Sequence, residues 1–348
     1  MDRITLAHGS GGVETFELLT KLLFKRIPEN LKRVGEGFGI DVLDDGASIP
    51  LPNGKHLVIS MDSYTVNPPF FPGGDIGALA ACGSINDVVM MGGKPLAVMD
   101  SIVVEEGFPV EDLEKIVNSF TSILINEDVA LIGGDFKVMP KGHLDRIVIT
   151  TLAIGIADRV IVDRPRPGDK IVVSSYIGDH GATITLLQMG LRDKIEEFDK
   201  GMLKSDVKPL TRIVLPLLQK YGEYITAARD PTRGGLAGTL NEWVARTGLV
   251  AIIDEKSIPI RDSVKRYTEM LGIDPLYLAS EGVAVFSIHP SIAEEFVEHL
   301  RSLGAEEATI IGEFKSSERY RGYVIAKTSI GGYRVIEPPR GEITPRIC

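Results

Sequence analysis

Aspartate stands beside glycine, or at the edge of an apolar run, at five places along the sequence. These places are "LDDGAS" (43–48), "SMDSY" (60–64), "SINDVVMMGG" (84–93), "LIGGDFK" (131–137) and "ARDPTRGGL" (228–236). Mg²⁺ takes oxygen ligands, usually a few carboxylates together with phosphates, and glycine lets a backbone approach a polyanion closely. One Asp–Gly pair is commonly only a turn. Five of them favour a magnesium–phosphate site collected from distant parts of the chain.

A glycine-rich stretch, "HGSGG" (8–12), stands near the start of the sequence. The backbone N–H groups of Gly9, Ser10, Gly11 and Gly12 could close over phosphates, as in other anion-binding loops. Glycine-rich segments near a terminus are also often only mobile. Neither GxxxxGK[ST] nor a G-x-G-x-x-G at a strand–helix junction occurs, so the two common nucleotide-binding motifs are excluded.

The segment "DPTRGGLAGTLNEW" predicts a helix start that could bind an anion. Thr232 is predicted to cap a helix whose first turn carries Gly234 and Gly235, which leaves backbone donors open. Asp230 precedes this turn, where a metal could bridge phosphates. The alternative is a capped helix with a tight entry and no ligand.

The arrangement of apolar residues predicts the elements that would position these side chains. Strands are predicted over 56–61, 95–104, 129–133, 146–157, 170–175, 224–230, 249–255 and 281–288, with short strands near 308–313, 322–327 and 333–337. Helical spacing predicts helices over 75–92, 110–127, 180–190, 207–222, 232–247 and 291–303. Strands alternating with helices in both halves indicate an α/β (α+β) fold.

Two prolines, a glycine and five charges in "DRPRPGDK" (163–170) interrupt this alternation, which predicts a domain boundary. We therefore expect an N-terminal domain over 1–160, a C-terminal domain over 168–335 and a flexible tail over 336–348. In the tail, Pro338, Pro339 and Pro345 prevent a helix. Extended, the tail could reach roughly 40 Å. The alternative is a frayed terminus.

Composition excludes several classes of protein. The chain has 348 residues, of which 44% are hydrophobic and 25% charged, with a net charge of −10. This charge argues against a general nucleic-acid surface, which needs clustered lysine and arginine. No apolar run is long enough to span a bilayer, and the sequence lacks the apolar core of a signal peptide. Two cysteines, Cys82 and Cys348, fit a reducing compartment, so we expect a cytoplasmic protein.

Taken in order, "DDGA", "MDSYTVNPPFFPGGDIG", "NDVVMMGG", "GGD" and "DPTRGGL" resemble the ATP-binding superfamily of aminoimidazole ribonucleotide synthetase, thiamine-monophosphate kinase and selenophosphate synthetase. The resemblance covers almost the whole chain. Within that superfamily, "HGSGG" and the final "PRIC" are similar to the hydrogenase maturation factors of the HypE type. Selenophosphate synthetases carry a reactive cysteine or selenocysteine near the glycine-rich loop, and "LAHGSGGVE" has none.

This resemblance implies a two-domain PurM-like fold. The N-terminal domains of a homodimer would pair as a β-barrel, the C-terminal domain would be an α/β sandwich, and ATP would lie in a cleft between the domains. The Mg²⁺ ligands that the resemblance implies are Asp45, Asp62, Asp87, Asp135 and Asp230.

The resemblance also implies an activity that uses Cys348. The carbamoyltransferase HypF would load a carboxamide onto its thiol, and this chain would dehydrate the carboxamide to a thiocyanate with ATP. The cyanide would pass to iron on a HypC–HypD complex during maturation of [NiFe]-hydrogenase. Alternatively, Cys348 is an incidental exposed thiol. Prenylation is excluded, because that motif places the cysteine four residues from the end.

Dehydration of a carboxamide needs a base to remove protons from its nitrogen. Glu281, which opens the predicted strand 281–288, is the candidate base, and Lys137 is the candidate for orienting phosphate or the carbamoyl oxygen. Their alternatives are a solvated acid at a strand start and a surface lysine. Cys82 is expected to be buried, and Trp243 to lie in the core.

Two other functions fit parts of the pattern. Another small-molecule kinase or phosphate-activating synthetase of the superfamily would tolerate loss of the tail. A non-catalytic scaffold would use the tail only as a docking peptide, but that function does not require five acids at element edges.

Overall fold

A computed structural model of the chain describes residues 3–191, 193 and 203–341. The described residues form two compact units. The five-stranded unit comprises Pro28–Val160 and Thr183–Thr211, and the seven-stranded unit comprises the residues up to Ile27, Ile161–Ala182 and those from Arg212 onward. The first residues thus group with the C-terminal half, whereas the sequence predicted consecutive domains over 1–160 and 168–335. Cys348 lies outside the described residues.

The five-stranded unit is built on an open sheet with strand order β1-β2-β7-β5-β6. Its strands are β1 (Ala47–Pro50), β2 (His56–Tyr64), β5 (Lys94–Glu105), β6 (Ala130–Met139) and β7 (Ile147–Ala157), and the two-residue strands β3 (Phe70–Phe71) and β4 (Gly74–Asp75) pair separately. Only β5 and β6 pair in parallel, because a helix connects them.

Two helices cover one face of this sheet. Helix α2 (Ile76–Met90) contacts β2 and β7 on one side and α3 (Val110–Asn126) on the other. Nearly all of its residues are buried, including Asp87. At its start, Asp75 accepts hydrogen bonds from the backbone N–H of Ala78 at 2.9 Å and from Ser119 Oγ of α3 at 2.5 Å. This capping fixes the rotation of α2 between the sheet and α3.

The seven-stranded unit is built on a sheet with strand order β14-β13-β10-β12-β8-β11-β9. Its strands are β8 (Lys170–Val173), β9 (Ile225–Arg229), β10 (Val250–Asp254), β11 (Val285–Ile288), β12 (Thr309–Lys315), β13 (Val324–Lys327) and β14 (Tyr333–Ile336). All neighbouring pairs are antiparallel except β10 and β13.

The remaining described helices of eight residues or more are α1 (Val13–Leu22), α4 (Asp179–Gln188), α5 (Thr211–Tyr221), α6 (Gly235–Thr247), α7 (Asp262–Leu271) and α8 (Ala293–Ser302). The core beside the seven-stranded sheet includes Trp243 of α6, which is fully buried, with its ring centroid 6.1 Å from that of Phe314. The prediction that Trp243 is a core residue is confirmed. Among the described residues, no helix combines the length and apolar character needed to cross a membrane.

The mixed α/β class is confirmed, but several elements differ from the sequence prediction, and strands β1, β3 and β4 were not predicted. Strand β6 extends to Met139, so "GGD" lies inside the strand and not beyond its end. Glu281 lies four residues before β11 and does not open it. Helices α1 and α7 were not predicted at all. The single sheet of the five-stranded unit is open, so a barrel formed by two subunits stays a prediction.

Candidate active site

Two carboxylates of the five-stranded unit lie close together. Asp45, in the turn before β1, and Asp87, in the last turn of α2, each offer an oxygen within 4.8 Å of the other. Ser60 Oγ of β2 lies 2.9 Å from the backbone carbonyl oxygen of Asp45 and 2.6 Å from Asp87 Oδ2. The sheet therefore ties together the turn and the helix that carry these acids.

This pair meets the requirements of a magnesium site. Asp87 is only 6% exposed and Asp45 is half-buried, so water screens their mutual repulsion poorly. A cation between them would offset that repulsion, and an all-oxygen donor set suits Mg²⁺. Both residues lie in stretches that the sequence pattern singled out, and the resemblance implies both as Mg²⁺ ligands.

Asp62 lies on the same face of the sheet as Ser60, because it follows two residues later on β2. It does not belong to the described group of acids within ligand distance of one another. Thr151 of β7 pairs with Asp62 on one side and with Asp100 of β5 on the other. Burial raises the pKa of Asp100 above its ordinary value. Asp100 was not among the residues predicted from the sequence, although an acid within the apolar run 95–104 was a visible signal.

Asp135 and Lys137 lie on the opposite face of this sheet. Asp135 pairs with Ser101 of β5, whereas Asp100 pairs with Gly134. Because successive strand residues alternate between faces, Asp135 and Asp100 lie on opposite faces of the sheet. Lys137 Nζ lies 3.1 Å from Asp135 Oδ1, and both side chains are exposed. The hydrogen bond from Lys137 lowers the pKa of Asp135. The structure therefore does not bring Asp135 beside Asp45 and Asp87 within the five-stranded unit.

In the seven-stranded unit, the segments that carry Asp230 and Glu281 lie side by side. The backbone N–H of Ser280 donates to the carbonyl of Pro231 at 3.1 Å. Asp230, directly after β9, is 3% exposed, and Glu281 is 1% exposed. The alternative that Glu281 is a solvated acid at a strand start is therefore wrong. A buried carboxylate beside another acid is a common arrangement at functional sites.

The entry to α6 differs from the predicted cap. The helix begins at Gly235, and its N-cap is Gly234, with no side-chain cap hydrogen bond. Thr232 thus lies before the cap position and does not cap the helix. Gly234 and Gly235 have φ values of 70° and 60°, a conformation that favours glycine. The first turn of α6 keeps backbone donors without a side-chain cap, as an anion site requires.

The glycine-rich loop lies against this helix entry. A Cβ atom on Gly11 would stand 2.8 Å from Arg233 Cδ. Ser10 Oγ donates to the carbonyl of Leu6 at 3.0 Å, and the N–H of Gly11 donates to Thr15 Oγ1 at 2.9 Å. The loop is therefore held by its own hydrogen bonds. Gly9 lies within its short helical turn and Gly12 is the N-cap of α1.

The start of α4 contacts the segment that carries Glu281. The N–H of Gly178 donates to Ser280 Oγ at 2.8 Å, and that of Gly181 donates to the carbonyl of Ala279 at 2.9 Å. Between them lies His180, which is fully buried, and desolvation lowers its pKa to about 3. Its imidazole is therefore neutral at physiological pH. No sequence signal separated His180 from an ordinary core residue.

The described start of the predicted tail is held in place. Asn241 Nδ2 of α6 donates to the carbonyl of Ile336 at 3.1 Å, and Tyr277 Oη donates to the carbonyl of Glu337 at 2.8 Å. Residues 336 and 337 are therefore attached to the seven-stranded unit, and a flexible tail beyond them stays a prediction. Cys348 itself lies outside the described residues.

Comparison with known proteins matches two family models to successive parts of the chain. The family model "AIR synthase related protein, N-terminal domain" matches residues 43–157, and "AIR synthase related protein, C-terminal domain" matches residues 166–325. The carbamoyl dehydratase HypE of Rhizobium leguminosarum bv. viciae is 38% identical over 351 residues, which are 99% of this chain and 95% of the relative.

Solved structures of HypE proteins are also similar to this chain in sequence and in fold. A HypE–HypF complex contains a chain that is 38% identical, with a TM-score of 0.81, covering 92% of this chain and 99% of that one. Hydrogenase maturation protein HypE in complex with ATP is 37% identical, with a TM-score of 0.79, covering 99% of this chain and 100% of that one. With its acids and glycine-rich segments placed as described, the chain belongs to the HypE family of carbamoyl dehydratases of hydrogenase maturation.

Proposed function

We propose that this chain uses ATP to dehydrate a carboxamide carried on the sulfur of Cys348. The γ-phosphoryl group of ATP passes to the carboxamide oxygen, and ADP leaves. The nitrogen loses both of its protons, the carbon–oxygen bond breaks, and phosphate departs with that oxygen. The products are a thiocyanate on Cys348, ADP and phosphate. Transfer of the thiocyanate carbon and nitrogen to the hydrogenase iron as cyanide would take two electrons from the iron-carrying partner and leave Cys348 as a thiolate.

The pair formed by Asp45 and Asp87 carries the ATP-dependent part of this proposal. These residues would hold Mg²⁺, because two carboxylates this close and this poorly solvated favour a divalent cation. Bound Mg²⁺ supplies charge neutralisation on the phosphates. Asp62, Asp135 and Asp230 are proposed as further ligands on the resemblance alone.

In the seven-stranded unit, the first turn of α6 and the loop Gly9–Gly12 would bind phosphate through backbone N–H groups. Thr232 would add its hydroxyl. Glu281 would take protons from the carboxamide nitrogen, because its buried carboxylate is kept from bulk water. Lys137 would orient the carboxamide oxygen or a phosphate.

Two partner proteins follow from the proposed chemistry. A carbamoyltransferase must load Cys348, and a related chain is found in a HypE–HypF complex, so HypF is the proposed loading enzyme. A HypC–HypD complex carrying iron is the proposed acceptor of cyanide, on the resemblance alone.

A homodimer is proposed through the outer face of the five-stranded sheet. That face carries exposed Met61 of β2, Met99 of β5 and Met139 of β6. Exposed apolar patches of this kind mark interaction surfaces. Because Asp135 and Lys137 lie on the same outer face, they would stand at the boundary between subunits.

The test is the mass of the peptide that contains Cys348. The chain is loaded by HypF with carbamoyl phosphate and ATP, isolated, and incubated with or without fresh Mg–ATP. Loss of one water from the adduct only with Mg–ATP supports the proposal, and E281Q should retain the adduct unchanged. An adduct that never loses water, or ATP turnover that is independent of Cys348, would contradict it.

A further inference from the structure

Residues 337–341 follow β14 as a strap along the seven-stranded unit. Beyond the contacts at Ile336 and Glu337, the N–H of Val13 donates to the carbonyl of Pro339 at 3.3 Å. The Pro339 ring packs on Gly234, where a Cβ atom would stand 2.6 Å from Pro339 Cγ. The strap therefore touches both α1 and the entry to α6.

The strap is attached at its far end by Glu14. The N–H of Gly341 lies 3.2 Å from each carboxylate oxygen of Glu14, in the first turn of α1. Backbone hydrogen bonds from its own residue and from Gly341 lower the pKa of Glu14, so the acceptor is ionised at neutral pH and the bond is charge-assisted. Gly341 has φ of 74°, which favours glycine at this point.

Prolines explain why the strap needs such an attachment. Pro338 and Pro339 have no N–H group, so this segment cannot continue the β ladder as a donor. Ile336, Glu337 and Pro339 accept hydrogen bonds through their carbonyl oxygens. Gly341 then donates one through its N–H. Loss of the Glu14 carboxylate would leave Pro339 as the last attached residue.

We propose that Glu14 is a positioning residue for the chemistry at Cys348, because it fixes the point from which residues 342–348 start. This inference rests on the proposed function. Seven extended residues reach about 25 Å, so Cys348 stays within that distance of Gly341. For a linker longer than the span that it bridges, effective concentration falls as roughly the −3/2 power of linker length. Moving the start back to Pro339 lowers it about 1.5-fold, and moving it back to Ile336 lowers it about twofold.

Hydrogen exchange at Gly341 tests the attachment without any catalysis. In the full-length chain, E14A should speed exchange of the Gly341 amide by about tenfold or more. E14Q should restore part of the protection, since an amide oxygen still accepts a hydrogen bond. The matched control is E17A, one turn later on α1, which should leave exchange unchanged. Equal exchange in E14A and E17A would overturn the inference.

The second measurement is single-turnover dehydration of the Cys348 adduct. E14A should lower the rate by about 1.5- to twofold while the KM for ATP stays the same, whereas E17A should match the wild type. A faster exchange without this rate difference would refute the positioning role. If the wild type never loses water but E14A still speeds exchange, the proposed function fails and the attachment stands. If instead the wild type loses water and E14A leaves exchange unchanged, the attachment is refuted and the proposed function stands.

Discussion

At the scale of single residues, burial and distance separate acids that look alike in the sequence. Asp87 and Asp135 both stand beside apolar runs, yet Asp87 is buried in α2 and Asp135 pairs with Lys137 on an exposed face. Local sequence cannot show this, because the face on which a strand residue lies depends on register. Among the ligands that the resemblance implies, Asp45 and Asp87 are the pair that the five-stranded unit brings close together.

The first prediction concerns Asp87. D87N removes one of two repelling carboxylates but keeps an oxygen that can accept from Ser60, so folding should be little changed. Mg²⁺-dependent ATP turnover should fall by about tenfold or more. The checks are ATPase assays over a range of Mg²⁺ and the rise in Tm that Mg–ATP gives. D112N, on the surface of α3, is the matched control. Full turnover in D87N would rule out a magnesium role for this acid.

A second residue-scale prediction concerns pH and His180. Its pKa is about 3 in the folded chain and about 6.5 when unfolded. Between these values the unfolded chain binds the extra proton, so the stability that a neutral His180 contributes is lost as pH falls below about 6.5.

The free energy of unfolding should therefore decrease by about 1.4 kcal/mol per pH unit from this residue between roughly pH 6 and pH 4. H180Q should lack this slope. Urea unfolding of both chains across that range measures it. Parallel pH profiles would mean that His180 does not remain neutral on folding.

At the scale of elements, long amphipathic helices and strands rich in β-branched residues were predictable. The apolar stripe of 110–127 predicted α3, and its observed bounds differ by one residue. Glycines caused two errors in the predicted element bounds. Gly133 and Gly134 shortened the predicted β6, and Gly234 displaced the expected cap at Thr232. In both cases tertiary pairing outweighed local propensity.

The glycine at the start of α6 gives an element-scale prediction. A Cβ atom on Gly235 would stand 2.5 Å from the carbonyl oxygen of Leu278 and 2.6 Å from that of Leu276. Together with its positive φ, this close approach should make G235A destabilising by about 2 kcal/mol or more.

The control is G272A at the end of α7, where φ is 66° but no atom lies within 4 Å of an added Cβ. That variant should cost only about 1 kcal/mol, from backbone conformation alone. Urea unfolding compares the two. Equal losses would show that the approach to Leu276 and Leu278 does not constrain this helix.

At the scale of the whole molecule, the proposed dimer predicts a change in oligomeric state. M61E places a charge in the outer face of the five-stranded sheet, where Met61 is 62% exposed. The desolvation of that charge should dissociate the dimer. Met270 on α7 is 61% exposed, so M270E is a control of equal exposure and equal chemistry. Light scattering at micromolar concentration measures the molecular mass of the wild type and of both variants. A monomeric wild type, or equal masses in both variants, would contradict the proposed interface.

The sequence could not place the strap, because carbonyl acceptors on a proline-rich segment leave no pattern in residue type. Its attachment depends on Asn241, Tyr277 and Glu14, which are far apart in the chain. Proline content predicted no helix in the tail, which holds for its described residues 336–341, but gave no sign that these residues are attached.

Strand β6 also affects how readily newly made chains aggregate. It is an edge strand, exposed on both faces, with apolar side chains and one row of backbone groups that β5 does not pair. Such an edge adds readily to other strands. Newly made chains at high concentration therefore face competition between correct association and aggregation. Expression yield should depend on how fast that edge is covered, so slow synthesis or low temperature should favour recovery of intact protein.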